Sequence, residues 1–546
     1  MPSPHTSPGP RRNALWGIVI CLLLALPAAP AAAETTTDSY VDGLADAAPT
    51  PALQWSDCEA GFACATARVP LDYAHPESRT IDLSLIKLPA GDPSRRIGTL
   101  FVNFGGPGRS GVQRLRERAR WPWLFSEALR ARFDLVSWDT RAVANSAPVH
   151  CFPDATTQQL FLTAYPPLPG TAADERPFFA ASRSLAEQCQ ANAGDLLPHV
   201  STVDTARDLD LLRRAVGDEK LTYHGISYGT YLGALYANMF PGRVRAMALD
   251  GSLDFRGNTG IDGPDQPIDT RQDVATGISG TFDAMLRSCT EAGAKCAFSE
   301  GNPVDKWQRI IERVRREPIA WDGTRYDYSA VITAAGALSN PAAWPQLADT
   351  LQHLYDLRDS PYRPEDALAE AFSLVGRAAE IGTGSGSAGN TNAYDDNYTE
   401  AFDAIQCADS RVPRDESVYS ALAVSEDQRV PYFGRLGVLG AMTCAYWPQT
   451  AVQPYSGPWD RRTAAPILVI NGRNDPATPL AGAAAGAAEL ADAHLLVIEG
   501  AGHSSMYVHS TCAETAKREY LIAATLPPAD ATCPVDGNPF ELKPAA

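Results

Sequence analysis

What this chain does not have removes several classes at once. No segment reaches 18 uninterrupted apolar residues, so no stretch is long enough to form a membrane-spanning helix. Positive charge is scarce: 46 Lys and Arg face 64 Asp and Glu, a formal net charge of −18. Nucleic acid and anionic membrane surfaces would be repelled, so neither is an expected partner. None of the 11 cysteines stands in a C-x-x-C or similar spacing, and no zinc site is expected. The Gly-rich run Phe104-Gly105-Gly106-Pro107-Gly108-Arg109-Ser110-Gly111 lacks the Gly-Lys-Ser/Thr ending of a phosphate cradle.

Against those gaps stands a processed-looking N-terminus. Arg11-Arg12 precede an apolar run from Ala14 to Leu26, and Pro27 to Ala33 ends in the small-residue site Ala31-x-Ala33. Residues 1–33 therefore read as a signal peptide cleaved near Ala33, which predicts a secreted, extracellular protein. Cys21 lies in the apolar run behind the bulky Val19-Ile20, which does not suit a lipidation site. Loss of the leader removes two arginines and takes the net charge from −18 to −20. Ten cysteines remain, and an even number in an oxidising compartment predicts five disulfides. Sequence alone does not fix the pairing among roughly 900 possibilities; with neighbours pairing most readily across short loops, the expected bonds are Cys58–Cys64, Cys151–Cys189, Cys289–Cys296, Cys407–Cys444 and Cys512–Cys533.

At 546 residues and 45% hydrophobic content the chain can bury a large core, with two structural units as the prior expectation. Apolar strand-like runs alternate with helix-like ones: Ile81 to Leu88, Thr99 to Asn103, Phe133 to Trp138, a helix from Asp204 to Val216, a strand from Leu221 to Tyr223, a helix from Tyr231 to Phe240, and a strand from Val244 to Asp250. That alternation predicts an α/β fold, a mostly parallel sheet with helices on both faces. It breaks after Ser252 and resumes at Pro466 to Ile470 and His494 to Ile498. Residues 252–460 are expected to be an inserted, mainly helical cap, with helices at Val304 to Arg316 and Pro364 to Ala379, two Trp-Pro turns and a mobile Gly/Ser/Asn-rich run at Gly382 to Asn392. The expected layout is then a signal peptide at 1–33, a tail at 34–56, sheet domain at 57–251 and 461–546, and the cap between.

Chemistry enters at Gly225-x-Ser227-x-Gly229. A strand before it and a helix after it are what a nucleophile elbow needs, in which a sharp turn lifts the serine hydroxyl above the sheet at a helix N-terminus. Two further residues follow strand ends in the order expected of an α/β-hydrolase: Asp475 after Pro466 to Ile470, and His503 after His494 to Ile498. Taken singly, Asp475 could cap the following segment and His503 could be a surface histidine. Taken together they complete a Ser-Asp-His set, with His503 as the base for Ser227 and Asp475 orienting the imidazole. The backbone N–H groups of Tyr228 and Gly106 are the expected oxyanion donors.

The elements Gly105-Gly106-Pro107-Gly108, Gly225-x-Ser227-Tyr228-Gly229, Gly472-x-x-Asp475, Gly502-His503 and Cys444-Ala445-Tyr446-Trp447-Pro448 resemble the secreted actinobacterial tripeptidyl aminopeptidases, in the prolyl-aminopeptidase group of α/β-hydrolases. The resemblance spans nearly the whole mature chain. It implies a serine exopeptidase that releases short peptides or amino acids from a free N-terminus beneath a cap, without metal or organic cofactor. Short peptides are the expected substrates and a monomer the expected state; hydrolysis of a non-peptide ester or amide is the alternative, and a silent binding protein of the same fold a third. The family commonly reads D-x-R-G-x-G-x-S where this chain has Asp139-Thr140-Arg141-Ala142-Val143-Ala144-Asn145-Ser146. With two glycines replaced by alanines, that loop is expected to take another path beside the site. Arg109 stands where relatives often carry a small residue, and is expected to narrow the pocket or meet a substrate carboxylate. An aminopeptidase must also hold an ammonium group, for which Asp403, Glu400 and especially Asp409 are the candidate carboxylates.

Overall fold

A computed structural model describes residues 37–362 and 397–541. The expected signal peptide at 1–33, the helix expected at Pro364 to Ala379 and the run at Gly382 to Asn392 lie outside the described residues. The described residues all fall in one compact unit.

Among the described residues twelve strands can be traced: β1 (Ser56–Asp57), β2 (Ala63–Pro70), β3 (Thr80–Leu88), β4 (Gly98–Asn103), β5 (Phe133–Trp138), β6 (Leu221–Ile226), β7 (Val244–Asp250), β8 (Ile319–Trp321), β9 (Thr324–Tyr326), β10 (Ile467–Asn474), β11 (Ala493–Ala501) and β12 (Thr532–Pro534). Ten of them make one sheet in the order β1-β2-β3-β5-β4-β6-β7-β10-β11-β12, while β8 and β9 form a separate hairpin. From β5 to β12 every pairing in the large sheet is parallel, and β1 to β3 add an antiparallel edge.

The sequence pattern explains the division. Strands β4 and β6 are buried at every position, as continuous apolar runs covered on both faces must be. Alternate residues feed opposite cores: Phe101, Tyr223, Leu249 and Val469 join one cluster, and Leu100, Val102, Ala248, Leu468 and Ile470 the other. The first cluster is roofed by α1 (Thr202–Ala215) and α2 (Tyr228–Met239). Ser201 caps α1 through a bond to the Asp204 N–H, an acid sits in its first turn, and Arg213 and Arg214 sit in its last, so charge follows the helix dipole. Every residue of α2 is buried. Its Leu, Ala and Tyr content suits a helix pressed between α1 and the sheet.

Between β7 and β10 the regular elements of the described chain are helices apart from the β8–β9 hairpin, and residues 275–357 and 430–436 build most of a core of their own around Phe282, Trp307, Trp344 and Phe433. α3 (Tyr398–Asp409) instead packs into the sheet-side core through Ala401, Ala404 and Ile405. Trp344-Pro345, expected as a turn, opens the helix Trp344–Asp356, because proline fits the first helical turn, where no intrahelical N–H bond is lost. A 22-residue helix, Ala172–Ala193, also lies within the stretch expected to be sheet domain. It packs Phe178 and Phe179 against Tyr419, Val438 and Met442, so the helical layer is drawn from two segments. The five disulfides are the five expected pairs.

One buried ion pair fastens the antiparallel edge to α1. Arg141 donates to both carboxylate oxygens of Asp208, at 2.8 and 2.7 Å, and to the carbonyls of Pro70, Leu71 and His199. Removing the guanidinium would strand a carboxylate where water does not reach. Arg141→Met is predicted to lower the free energy of urea unfolding by about 3–5 kcal/mol, disulfides intact.

Candidate active site

Ser227 occupies the single residue between β6 and α2, with φ 57° and ψ −125°, a conformation that L-residues adopt only when their surroundings impose it. The imposition is visible. Its N–H donates to the Asp250 carbonyl at 2.8 Å, and its own carbonyl accepts from the Thr230 N–H at 2.8 Å and the Thr230 hydroxyl at 2.7 Å. A side chain at Gly225 would strike the Gly229 carbonyl, which is why the turn needs glycine there. On the other side stands Gly105, at φ 81°, where an added Cβ would lie 2.8 Å from the Ser227 Cβ. The Gly-rich loop is thus laid directly against the serine. Asn103 holds it there by accepting the Gly105 N–H at 2.9 Å.

Asp475 and His503, 28 residues apart in sequence, meet where β10 and β11 end. The imidazole Nδ1 is 2.9 Å from each carboxylate oxygen of Asp475. The carboxylate also accepts the backbone N–H groups of Ala477, Thr478 and Ser504 at 2.8–3.0 Å. Asn471 braces this turn, with its amide donating to the Thr478 carbonyl at 3.0 Å and its oxygen accepting the Ser252 N–H at 2.8 Å. Burial alone would depress the His503 pKa; the adjacent Asp475 charge and hydrogen bond, helped by Asp250, outweigh it and hold the imidazole above its ordinary 6.5. A side chain on Gly251 would come within 3.2 Å of His503 Cε1, which places the ring over the residue that follows Asp250, the acceptor for Ser227. Among the described residues no hydrogen bond joins Ser227 Oγ to His503. Such contacts are often long before substrate arrives.

The remaining candidates divide. Tyr228 donates its hydroxyl to Thr202 Oγ1, and Thr202 in turn donates to Asp409 through its hydroxyl at 2.5 Å and its N–H at 2.8 Å. Asp409 is therefore buried with both oxygens occupied, and burial pushes its pKa up to about 7 against those bonds. Its place is beneath Tyr228; the expected encounter with a substrate ammonium is not what this geometry offers. Glu400 accepts from the Cys151 N–H and the Gln158 amide, and Asp403 is buried and likewise pushed up to about 7 by that burial, opposed by the Thr443 hydroxyl. Arg109 lays its guanidinium 3.7 Å above the Tyr398 ring, so its charge is held against the first turn of α3.

The loop after β5 departs from expectation. Ala142 and Ala144 have φ 77° and 45°, so the backbone keeps the left-handed path that glycine favours, with alanines strained into it. Asn397, at the N-cap of α3, explains how: its amide donates to the carbonyls of Ala142 and Val149, and its oxygen accepts the Ala144 N–H. Sequence gave no sign of Asn397 or Asn103, since single asparagines beside loops are common.

Comparison with known proteins fits this geometry. The family described as alpha/beta hydrolase fold matches residues 99–297, and that described as TAP-like protein matches 430–533. The serine protease Hip1 of Mycobacterium tuberculosis is 31% identical over 512 residues, covering 88% of this chain and 91% of Hip1. The tripeptidyl aminopeptidase of Streptomyces lividans is 28% identical over 506 residues, 89% and 87% of the two chains. Carboxylesterase B of M. tuberculosis is 29% identical over 540 residues, 94% and 96%. Fold and likeness together define a serine hydrolase. The chain belongs to the tripeptidyl-aminopeptidase-like family of α/β-hydrolases.

Two outcomes follow from this geometry. If His503 must be neutral to act, kcat/KM falls as pH drops through a value above 6.5, and Asp475→Asn, which removes the raising charge, moves that limb to lower pH; a pH–rate profile of both proteins measures it. Ala142→Gly and Ala144→Gly each relieve a left-handed alanine and should stabilise the protein by about 0.5–1 kcal/mol in denaturant titration.

Proposed function

We propose that Ser227, His503 and Asp475 are the nucleophile, base and orienting acid of an exported exopeptidase that removes short peptides or amino acids from a free N-terminus. The observation that carries the reading is the buried Asp475–His503 pair at the same sheet edge as a serine held at φ 57°. Ser227 Oγ attacks the scissile carbonyl carbon while its proton passes to His503 Nε2, and Asp475 keeps the imidazole in the Nδ1–H tautomer and balances the imidazolium. The oxyanion receives the N–H groups of Tyr228, at the start of α2, and Gly106, in the loop packed on Ser227. Collapse expels the amine, which takes the proton from His503, and leaves an acyl-enzyme. Water, deprotonated by the same imidazole, then releases the peptide acid.

Several facts support the finer points. Relatives named as a serine protease and a tripeptidyl aminopeptidase favour peptide substrates. Five disulfides suit an oxidising compartment and agree with the leader pattern of residues 1–33. No helix among the described residues is long and apolar enough to cross a membrane. The helical cap between β7 and β10 suits a site that admits short chains from one end. We further propose that it acts as a monomer.

A second reading has its own observation. The relative named Carboxylesterase B matches nearly the full length of this chain, and the same three residues serve ester hydrolysis as well as amide hydrolysis. A panel of tripeptidyl, aminoacyl and simple ester chromogenic substrates separates the two. The exopeptidase reading predicts that tripeptidyl anilides are the preferred substrates, that acetylation of their N-terminus cuts kcat/KM at least a hundredfold, and that Ser227→Ala abolishes turnover. Equal turnover of free and acetylated peptides, or a preference for simple esters, favours the esterase instead.

A further inference from the structure

Behind the Ser-His-Asp residues lies a cluster of buried ionisable groups that the mechanism above does not use. Asp250 ends β7, and its carboxylate accepts the Ser505 N–H at 2.8 Å and the Ser505 hydroxyl. His224, on β6 and three residues before Ser227, places Nε2 at 3.4 Å from the same carboxylate. Lys517, from α4 (Thr511–Ala523), donates to Glu514 at 2.8 Å and to Ser505 Oγ at 3.1 Å, and stands 3.7 Å from Asp250. Glu514 Oε1 also lies 2.7 Å from Ser505 Oγ, whose single proton is given to Asp250. Asp250 and Lys517 are wholly shielded from solvent, and the other three members are at least nine-tenths buried. Groups of this kind are costly to bury and are retained only where hydrogen bonds satisfy them.

The cluster's position is what gives it meaning. Asp250 touches both halves of the reacting pair: its backbone carbonyl takes the N–H of Ser227 at 2.8 Å, and its side chain takes Ser505, two residues past His503. The intervening Ser504 gives its N–H to Asp475 at 3.0 Å. One residue thus connects the serine's turn, the histidine's loop and, through Lys517, the last long helix. The acid is ionised: burial would raise it, but the His224 N–H, the Lys517 charge and the Ser505 bonds hold it at about 2. His224 is kept neutral, at about 4, by burial and by Lys517 against the pull of Asp250.

We propose that Asp250, with Ser505 as its link and Lys517 as its counter-charge, is a positioning residue that sets the Ser227–His503 alignment. It does not touch substrate. Its backbone holds the serine's turn and its carboxylate the loop that carries His503, so one residue ties the two together alongside the bonds from Thr230 and Asp475. Its charge also bears on the base directly. The ionisable groups around His503 are Asp475 from the β10 turn and Asp250 from β7, with His224, Glu514 and Lys517 behind Asp250 on β6 and α4. Loss of the Asp250 charge therefore lowers the basicity of His503.

This inference rests on Ser227 and His503 being the reacting pair, so Ser227→Ala is run alongside as the control for that reading. Ser505→Ala deletes one hydroxyl and keeps the backbone bond to Asp250; Asp250→Asn keeps the shape and removes the charge. Both are assayed on the best substrate of the panel, with active sites counted by fluorophosphonate titration so that only folded enzyme enters kcat. The expected result is a tenfold or larger loss of kcat in Ser505→Ala with KM within twofold, restoration to within threefold by Ser505→Thr, and an acid limb moved to lower pH in Asp250→Asn. If Asp250→Asn does not fold, Ser505→Ala and Ser505→Thr decide alone. A merely structural cluster lowers the melting temperature while kcat per titrated site stays within twofold of the parent, and that result overturns the proposal. Turnover by Ser227→Ala would instead overturn the reading beneath it.

Discussion

A serine held in left-handed backbone is the constraint on which the rest of the molecule turns. Ser227 cannot stay at φ 57° by its own preference; the conformation costs on the order of 1–3 kcal/mol and persists because neighbours over-determine it. The Asp250 carbonyl accepts its N–H, the Thr230 N–H and hydroxyl donate to its carbonyl, and two close backbone approaches leave no room for side chains at Gly225 and Gly105. Each of these neighbours is itself at the end of a sheet strand or in the first turn of α2. The parallel sheet is therefore the means by which distant segments are brought to one edge, and the helices on its two faces keep that edge rigid.

From that edge the helical layer acquires its purpose. α3 joins the two parts: Asn397 at its N-cap clamps the loop after β5, Tyr398 receives the Arg109 guanidinium from the Gly-rich loop, and Asp409 at its last turn supports Tyr228 through Thr202. The Cys407–Cys444 disulfide ties this helix to the Cys444-Ala445-Tyr446-Trp447-Pro448 element, whose Trp447 is fully buried. That gives the element a structural reason to exist: it anchors the helix that underlies Tyr228, the residue next to Ser227. Asp409 and Arg109, expected from sequence to meet substrate, are engaged instead in holding this junction together.

Much of this was legible in the chain, and the failures have physical causes. The parallel strands announce themselves because burial on both faces demands unbroken apolar runs, as at Thr99 to Asn103. Ser227, Asp475 and His503 could be proposed from sequence because an elbow and two strand ends carry short-range signatures, and the structure sets Ser227 at φ 57° and Asp475 against His503. Disulfide pairing was readable because each cysteine's partner is its neighbour in sequence. The loop after β5 was misjudged because two alanines argue against left-handed backbone, and only the distant Asn397 makes it hold. Asp409 was misjudged because an acidic residue's sequence neighbours do not show that Thr202, some two hundred residues away, will occupy it. The buried cluster of His224, Asp250, Ser505, Glu514 and Lys517 was invisible for the same reason: its members come from four separate elements, and each alone resembles an ordinary surface polar residue.

The central claim is that three segments assemble one activated alcohol. Its most direct measurement is the site and rate of modification by a fluorophosphonate, read by intact mass and peptide mapping. The account predicts one adduct per chain, on Ser227, formed at least a hundredfold more slowly in His503→Ala than in the parent protein. Adducts elsewhere, or an unchanged rate in His503→Ala, would contradict it.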